Sequence, residues 1–263
     1  MAASGLLPLC FGEATKVSAY LLDADKTYLA EIALGTTTAS GDREGEVLVT
    51  RPVPALTASD VARVLSGFLG RQQQIPPMYS ALKRDGRPLY AYARAGIELE
   101  RAPREIWVHA LRLIEQRPAA LVVEVECSKG TYVRTLAEDI GEALGCGAHL
   151  AALRRTRAGP FDLADAHPLD LFDRGGVPEQ FDALLLPVDR ALVGYPSLQL
   201  DTVTARALCQ GQRRPAAGHT VAGLHRLYGP DGGFLGLGEV TVDGSLEPRR
   251  LMQVPEAPED TRS

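Results

Sequence analysis

Most of the arrangements that let side chains do covalent chemistry are missing from this sequence. It has no G-x-S-x-G, no Walker loop and no H-E-x-x-H. Gly145-Cys146-Gly147 follows a helical pattern, where a dinucleotide fingerprint would follow a strand. The four cysteines, Cys10, Cys127, Cys146 and Cys209, include no C-x-x-C pair, and Cys146 with His149 lacks the partner pair of a metal knuckle. No metal and no organic cofactor is expected, and the five histidines read as surface or core residues. What the chain concentrates is positive charge beside tyrosine. Between Arg71 and Arg104 lie Lys83, Arg84, Arg87, Arg94 and Arg101, interleaved with Tyr79, Tyr90 and Tyr92. Lys129 and Arg134 flank Tyr132, and Arg154, Arg155 and Arg157 follow. Such islands suit a phosphate backbone whose bases stack on tyrosine. They suit equally a solvated face with tyrosines at its edge, and the charge pattern alone does not choose.

Either surface needs folded elements to hold it, and the composition supplies them. The chain has 263 residues, 45% hydrophobic and 23% charged, enough for one large or two smaller domains with a core that needs no staples. A net charge of −5 confines any nucleic-acid contact to local patches. Thiols without a disulfide pattern fit a reducing cytoplasm, and no apolar run reaches the length of a bilayer. The apolar start, Met1 to Cys10, lacks a basic n-region and reads as the middle of a domain, with Leu6, Leu7 and Leu9 expected to be under-packed.

Lys26–Leu34 alternates as a half-buried strand with Tyr28, Ala30, Ile32 and Leu34 on one side. Thr36 to Gly45, rich in Thr, Ser, Gly and charge, reads as a surface loop. Thr57 to Leu69 is predicted helical, capped by Thr57 or Ser59, and Leu89 to Ala95 as a short helix closed by Gly96. Ile106–Ile114 and Ala120–Cys127 form a strand pair with Glu124 and Glu126 on a wet face. Tyr132 to Leu144 switches to helical period. Beyond a linker near Leu192–Tyr195, short strand-like runs (Ser197–Leu200, Thr220–Leu227, Phe234–Val242) indicate a small β-rich domain. The expected fold class is α+β: a domain over 1–193 with a mixed, largely antiparallel sheet and helices, and a β-rich domain over 194–263.

Several residue strings resemble one family closely. Gln74-Ile75-Pro76-Pro77-Met78-Tyr79-Ser80-Ala81-Leu82-Lys83 and Gly86-Arg87-Pro88-Leu89-Tyr90-Ala91-Tyr92-Ala93-Arg94-Ala95-Gly96 are similar to the hallmark block of the bacterial tRNA pseudouridine synthase B family, TruB. So are Cys127-Ser128-Lys129-Gly130-Thr131-Tyr132-Val133-Arg134-Thr135 and Leu144-Gly145-Cys146-Gly147-Ala148-His149-Leu150 with Leu153-Arg154-Arg155. Ser4 to Lys16 resembles the segment just after that family's catalytic motif. Gly233 to Val240, ending at Pro248-Arg249-Arg250-Leu251, resembles more weakly the PUA-type end of these enzymes.

The resemblance implies an isomerase that turns uridine 55 of the tRNA T loop into pseudouridine by flipping the base out and using an Asp carboxylate. It implies no cofactor, a cytoplasmic monomer, and tRNA as partner through its T arm and acceptor end. Tyr28, after Asp23-Ala24-Asp25-Lys26, matches the tyrosine that stacks on uracil. Arg134 matches the arginine that salt-bridges the catalytic Asp; Tyr132 and Leu153 match residues lining the uracil pocket; Lys83 and Arg87 sit in the block nearest the RNA. One departure stands out. In gap-free register with the family's G-x-L-D-P-L-A-S-G-L-L-P, Met1 falls on the Pro after the Asp, so the nucleophile is expected to be absent from this chain, leaving it inactive. Asp23, Asp25 and Asp42 lie outside the motif, so Arg134 is expected to lack its carboxylate. The alternative is a non-catalytic tRNA- or RNA-binding protein of the same fold.

Overall fold

The alternation of Lys26–Leu34 builds the middle of a sheet. In the computed structural model, which describes residues 3–173, 178–216, 218 and 221–253, this stretch is strand β2, following a short β1 at Ser4–Gly5. After it come β3 (Thr36–Thr38), β4 (Val47–Thr50), β5 (Gly70–Gln74), β6 (Lys83–Arg84) and β7 (Arg87–Pro88). Strands β8 (Arg104–Arg117), β9 (Ala120–Cys127), β10 (Ala148–Ala158) and β11 (Phe161–Asp162) complete the first of two compact units, residues 3–7 and 23–166. Its main sheet runs β1-β10-β2-β9-β8-β5, with β11 on β10. Only the β1–β10 pairing is parallel.

One face of this sheet is apolar and the other wet, because the side-chain period is two. Ala30, Ile32 and Leu34 of β2 and Leu121, Val123 and Val125 of β9 are buried on the first face. Two helices cover it. Val61 and Leu65 come from Ala58–Ser66, and Val133, Leu136, Ala137 and Ile140 from Val133–Ala143, all in one core. Burying each of the Val, Leu and Ile side chains stabilises the fold by roughly 1.5–3 kcal/mol. On the wet face, Arg112 meets Glu124 at 2.6 Å, Arg117 meets Glu31 at 3.0 Å, and Arg157 pairs with Glu126.

The helix starts have different causes. Thr57 caps Ala58–Ser66 with a capping box: its hydroxyl accepts from Asp60 N–H, while the Asp60 carboxylate accepts from Thr57 N–H. Val133–Ala143 has no local side-chain cap. The buried Gln74 of β5 instead brackets the residue before it, accepting from Tyr132 N–H at 2.8 Å and donating to the Tyr132 carbonyl at 3.1 Å.

The second unit, residues 8–22 and 167–253, is β-rich as its turn spacing predicted. Strands β12 (Ser197–Gln199), β13 (Arg214–Pro215), β14 (Gly223–Tyr228), β15 (Phe234–Val240) and β16 (Ser245–Leu251) form a sheet in the order β12-β14-β15-β16-β13. The helix Thr202–Cys209 packs Ala205 and Leu208 into its core. Thr220 lies outside the described residues. The α+β class thus holds, with a β-rich C-terminal unit.

Two expectations need correction, and two strands carried no signal. Thr36–Gly45 is not a plain surface loop: Thr36–Thr38 is β3, and Thr38 and Asp42 are buried. Polarity misled because those groups are satisfied inside the protein, Thr38 Oγ donating to the Asp42 carbonyl at 2.7 Å. β5, Gly-Arg-Gln-Gln-Gln, was not read as a strand because it carries no apolar alternation. β10 was missed because bulges between Leu150 and Ala152 and between Arg155 and Arg157 break its period. Finally, Leu6 is buried, while Leu7 and Leu9 are exposed. Leu6 is held by β1, its N–H donating to the Arg155 carbonyl and its carbonyl accepting from Arg155 Nε.

Candidate active site

Arg134 is the second residue of the helix Val133–Ala143, a place where the macrodipole disfavours a cation. Three acceptors compensate. Nη1 donates to the Ser40 carbonyl at 3.1 Å and to Asp42 Oδ2 at 3.2 Å, and Nη2 donates to the Tyr79 carbonyl at 2.6 Å. A guanidinium has five N–H donors, so two remain, one on Nε and one on Nη2. The expectation that Arg134 lacks a carboxylate is therefore corrected: Asp42 pairs with it.

Asp42 is 1% exposed and its partner 20%. Its Oδ1 accepts from Ser40 Oγ at 2.7 Å and from Glu44 N–H at 3.1 Å. Burial pushes this carboxyl up, but the lowering effects together, the Ser40 hydrogen bond the largest and the Glu44 N–H among them, hold it below the ordinary range. The loop is tied to β10, Leu150 N–H donating to the Gly41 carbonyl and Arg43 N–H to the Leu150 carbonyl. Asp42 is thus a fixed anchor, with its oxygens already engaged.

Tyr28 and Leu153 share the apolar face of the sheet. Leu153 lies opposite Ala30, and Tyr28 is two residues from Ala30 on β2, so the two side chains are diagonal neighbours. Both are partly buried against the core that the Arg134 helix covers. Burial raises the Tyr28 phenol above its ordinary value, and Cys127 adds to the effect. Burial also pushes the Cys127 thiol up to about 11, so it is no nucleophile at neutral pH. Tyr132 is the half-buried residue preceding the helix, its backbone bracketed by Gln74.

Lys83 and Arg87 are brought to a different feature, the hairpin β6–β7. Asp85 (φ 51°) and Gly86 (φ 76°) give the left-handed turn that a two-residue hairpin requires. Lys83 is exposed; Arg87 donates to the Ala91 carbonyl and lies 4.9 Å over the Tyr92 ring, and Arg94 lies 5.4 Å over Tyr90. The basic islands are partly neutralised within the protein: Arg71 pairs with Glu105, Lys129 with Asp23 and Arg157 with Glu126. Cys146 and His149 bond the backbone, Cys146 to the Gly141 carbonyl and His149 to that of Thr36. No group of three or more His, Cys, Asp or Glu suited to a metal occurs among the described residues. None of their helices is long and apolar enough to cross a membrane.

Sequence reasoning missed Asp42, Ser40 and Gln74. A Ser-Gly-Asp run signals only a turn, and a lone Gln on a polar strand signals nothing. Their roles exist only once the helix start is packed against them.

Models of known families match almost the whole chain. The TruB family pseudouridylate synthase N-terminal domain matches residues 1–133, the tRNA pseudouridylate synthase B C-terminal domain 134–193, and the pseudouridine synthase II TruB C-terminal domain 196–252. The chain belongs to the TruB family. Its relatives include the tRNA pseudouridine synthase B of Thiobacillus denitrificans, 54% identical over 97% of this chain and 84% of that one. That of Methylobacillus flagellatus is 50% identical over 95% and 82%. Among solved structures, a Cbf5-Nop10-Gar1 complex aligns with TM-score 0.69 at 23% identity, over 94% of this chain and 72% of that one. An H/ACA RNP bound to a substrate RNA containing 2′-deoxyuridine aligns with TM-score 0.67 at 20% identity, over 94% and 71%. At these identities the structural likeness shows a shared fold and nothing further. The family is one of pseudouridine synthases, that is, of isomerases.

Proposed function

We propose that this chain holds the uridine pocket of a tRNA pseudouridine synthase that acts on uridine 55 in the T loop. The observation that carries this reading is Arg134, anchored on buried Asp42 with two N–H donors left over, beside a sheet face carrying Tyr28 and Leu153. Two spare donors on Nε and Nη2 suit a second carboxylate, held by charge-assisted bonds. Asp42 is not that carboxylate: its oxygens are committed to Ser40, Glu44 and Arg134, and it is closed to solvent. On this reading the nucleophile is the Asp of the family's L-D-P motif.

The target base has to leave the stack before its glycosidic bond can be reached. Tyr28 then stacks on the flipped uracil, with Leu153 and Tyr132 lining the pocket. The N1–C1′ bond breaks, the base turns, and a C5–C1′ bond forms; C5 loses a proton and N1 gains one, so atoms and charge balance without a co-reactant. Lys83 and Arg87 serve the phosphate backbone of the T arm, and the C-terminal unit the acceptor end. The protein works as a cytoplasmic monomer.

The test is Tyr28→Ala in a chain preceded by the family's motif. Losing a stacking platform costs roughly 1–3 kcal/mol per base. Single-turnover pseudouridine formation is expected to fall strongly while tRNA binding falls less, since phosphate contacts supply most affinity. Unchanged turnover would remove Tyr28 from the pocket. Binding without turnover in the unmutated, motif-bearing chain would favour a non-catalytic RNA-binding protein.

A further inference from the structure

Glu138 lies one turn after Arg134 on the same helix, the i,i+4 spacing at which Arg and Glu ordinarily pair. Arg134 does not take it. The guanidinium goes instead to Asp42 and two carbonyls, and among the described residues the Glu138 carboxyl makes no hydrogen bond or ion pair. It lies over Gly41: a Cβ there would sit 2.9 Å from its carboxyl carbon and from each of its oxygens. Gly41 also has φ +70°, so its backbone and the space above it both call for glycine. Half-buried, without a donor and laid over the residue next to Asp42, Glu138 is poorly placed to carry charge. Among the described residues three charged groups act on it: Asp139 and Arg134 from its own helix, and Asp42 from the loop. Burial and then Asp139 raise its carboxyl to about 7, with Arg134 opposing and Asp42 adding a smaller rise.

We propose that Glu138 is a positioning residue for the Arg134–Asp42 pair: neutral over Gly41, it leaves Arg134 on Asp42, and on losing its proton to water it becomes a rival acceptor that draws the guanidinium away from the loop. The two spare N–H groups of Arg134 then change direction as well. The proton state of Glu138 thereby sets where a second anionic group is held. This inference rests on the pocket reading only for its consequence in turnover; the movement of Arg134 can be measured without any reaction.

The experiment is NMR of the intact chain from pH 5.5 to 8.5, following the Arg134 guanidinium nitrogens and the Asp42 and Glu138 carboxyl carbons. In the wild type, all three sets of signals are expected to inflect together near pH 7. In Glu138→Gln, the Arg134 and Asp42 signals are expected to be flat across that range, since a neutral isostere occupies the site at every pH. A flat Arg134 signal in the wild type overturns the proposal, and so does the same inflection in Glu138→Gln. The wild-type titration keeps the proposal testable should the variant fold poorly. A failure of this titration leaves the pocket reading intact, and an inactive enzyme leaves the titration intact.

Discussion

Two kinds of arginine–carboxylate pair stand on opposite faces of one sheet. On the wet face, Arg112–Glu124 and Arg117–Glu31 are partly solvated on both sides, and each is free to trade its partner for water. On the helix-covered face, Arg134 and Asp42 are 20% and 1% exposed, and Oδ1 of the carboxylate is held by Ser40 and Glu44 of its own loop. Desolvating two charges costs several kcal/mol per ion, so a buried pair is weak evidence for stability and better evidence for a fixed geometry. The wet-face ladder is surface chemistry that any polar set could replace. While Glu138 is neutral, the Arg134–Asp42 pair holds one guanidinium in one direction.

The sharpest way to break this contrast is to remove the buried anchor. Asp42→Ala leaves Arg134 without its carboxylate and unties Ser40 and Glu44, and is expected to cost about 3 kcal/mol or more in urea unfolding, near the low end for a severed buried pair because Arg134 keeps some water. A cost within about 0.5 kcal/mol would put the pair in the surface class.

Acidity separates the classes next. Asp42 has a depressed carboxyl, so its stabilisation is present above the unfolded value near 4 and is lost as pH falls through the lower folded value. Glu138 has the opposite sign: raised from 4.5 to about 7, it favours folding below about pH 4.5 and loses that contribution as pH rises through 7. The Glu138 change is expected to be about 1–2 kcal/mol after allowance for its partial exposure. Melting of the wild type and of Glu138→Gln from pH 4 to 8 reads the difference directly. Identical profiles would show that Glu138 titrates at its ordinary value.

The smallest effect belongs to the ladder. Arg117→Ala is expected to cost less than about 1 kcal/mol and to cost nothing measurable in high salt, because exposed pairs are screened. A larger, salt-insensitive loss would mean that the wet face is covered by something.

How much of this was legible depended on whether the cause of each element lay within it. β2 and β9 were read to their ends, since alternation marks a strand with one wet face. The helix over Val133–Ala143 showed in its apolar stripe, but the residue before it is held by Gln74, 58 residues away, which no local pattern encodes. The site divides in the same way. Arg134, Tyr28, Tyr132 and Leu153 were named through family strings, and the structure sets Tyr28 and Leu153 on one face under the helix that carries Arg134. Asp42 was passed over, because its burial follows from a loop tied to β10 and not from its neighbours in sequence.

The central claim is that Arg134 is anchored by Asp42 in order to orient a different carboxylate. Pseudouridine formation at the T-loop uridine tests it most directly, measured for residues 1–263 and for the same chain preceded by the family's motif through Leu-Asp-Pro. Product is expected from the motif-bearing chain alone. Product from residues 1–263 would mean that Asp42 or another carboxylate of this chain is the nucleophile, and product from neither would mean that Arg134 orients no catalytic group.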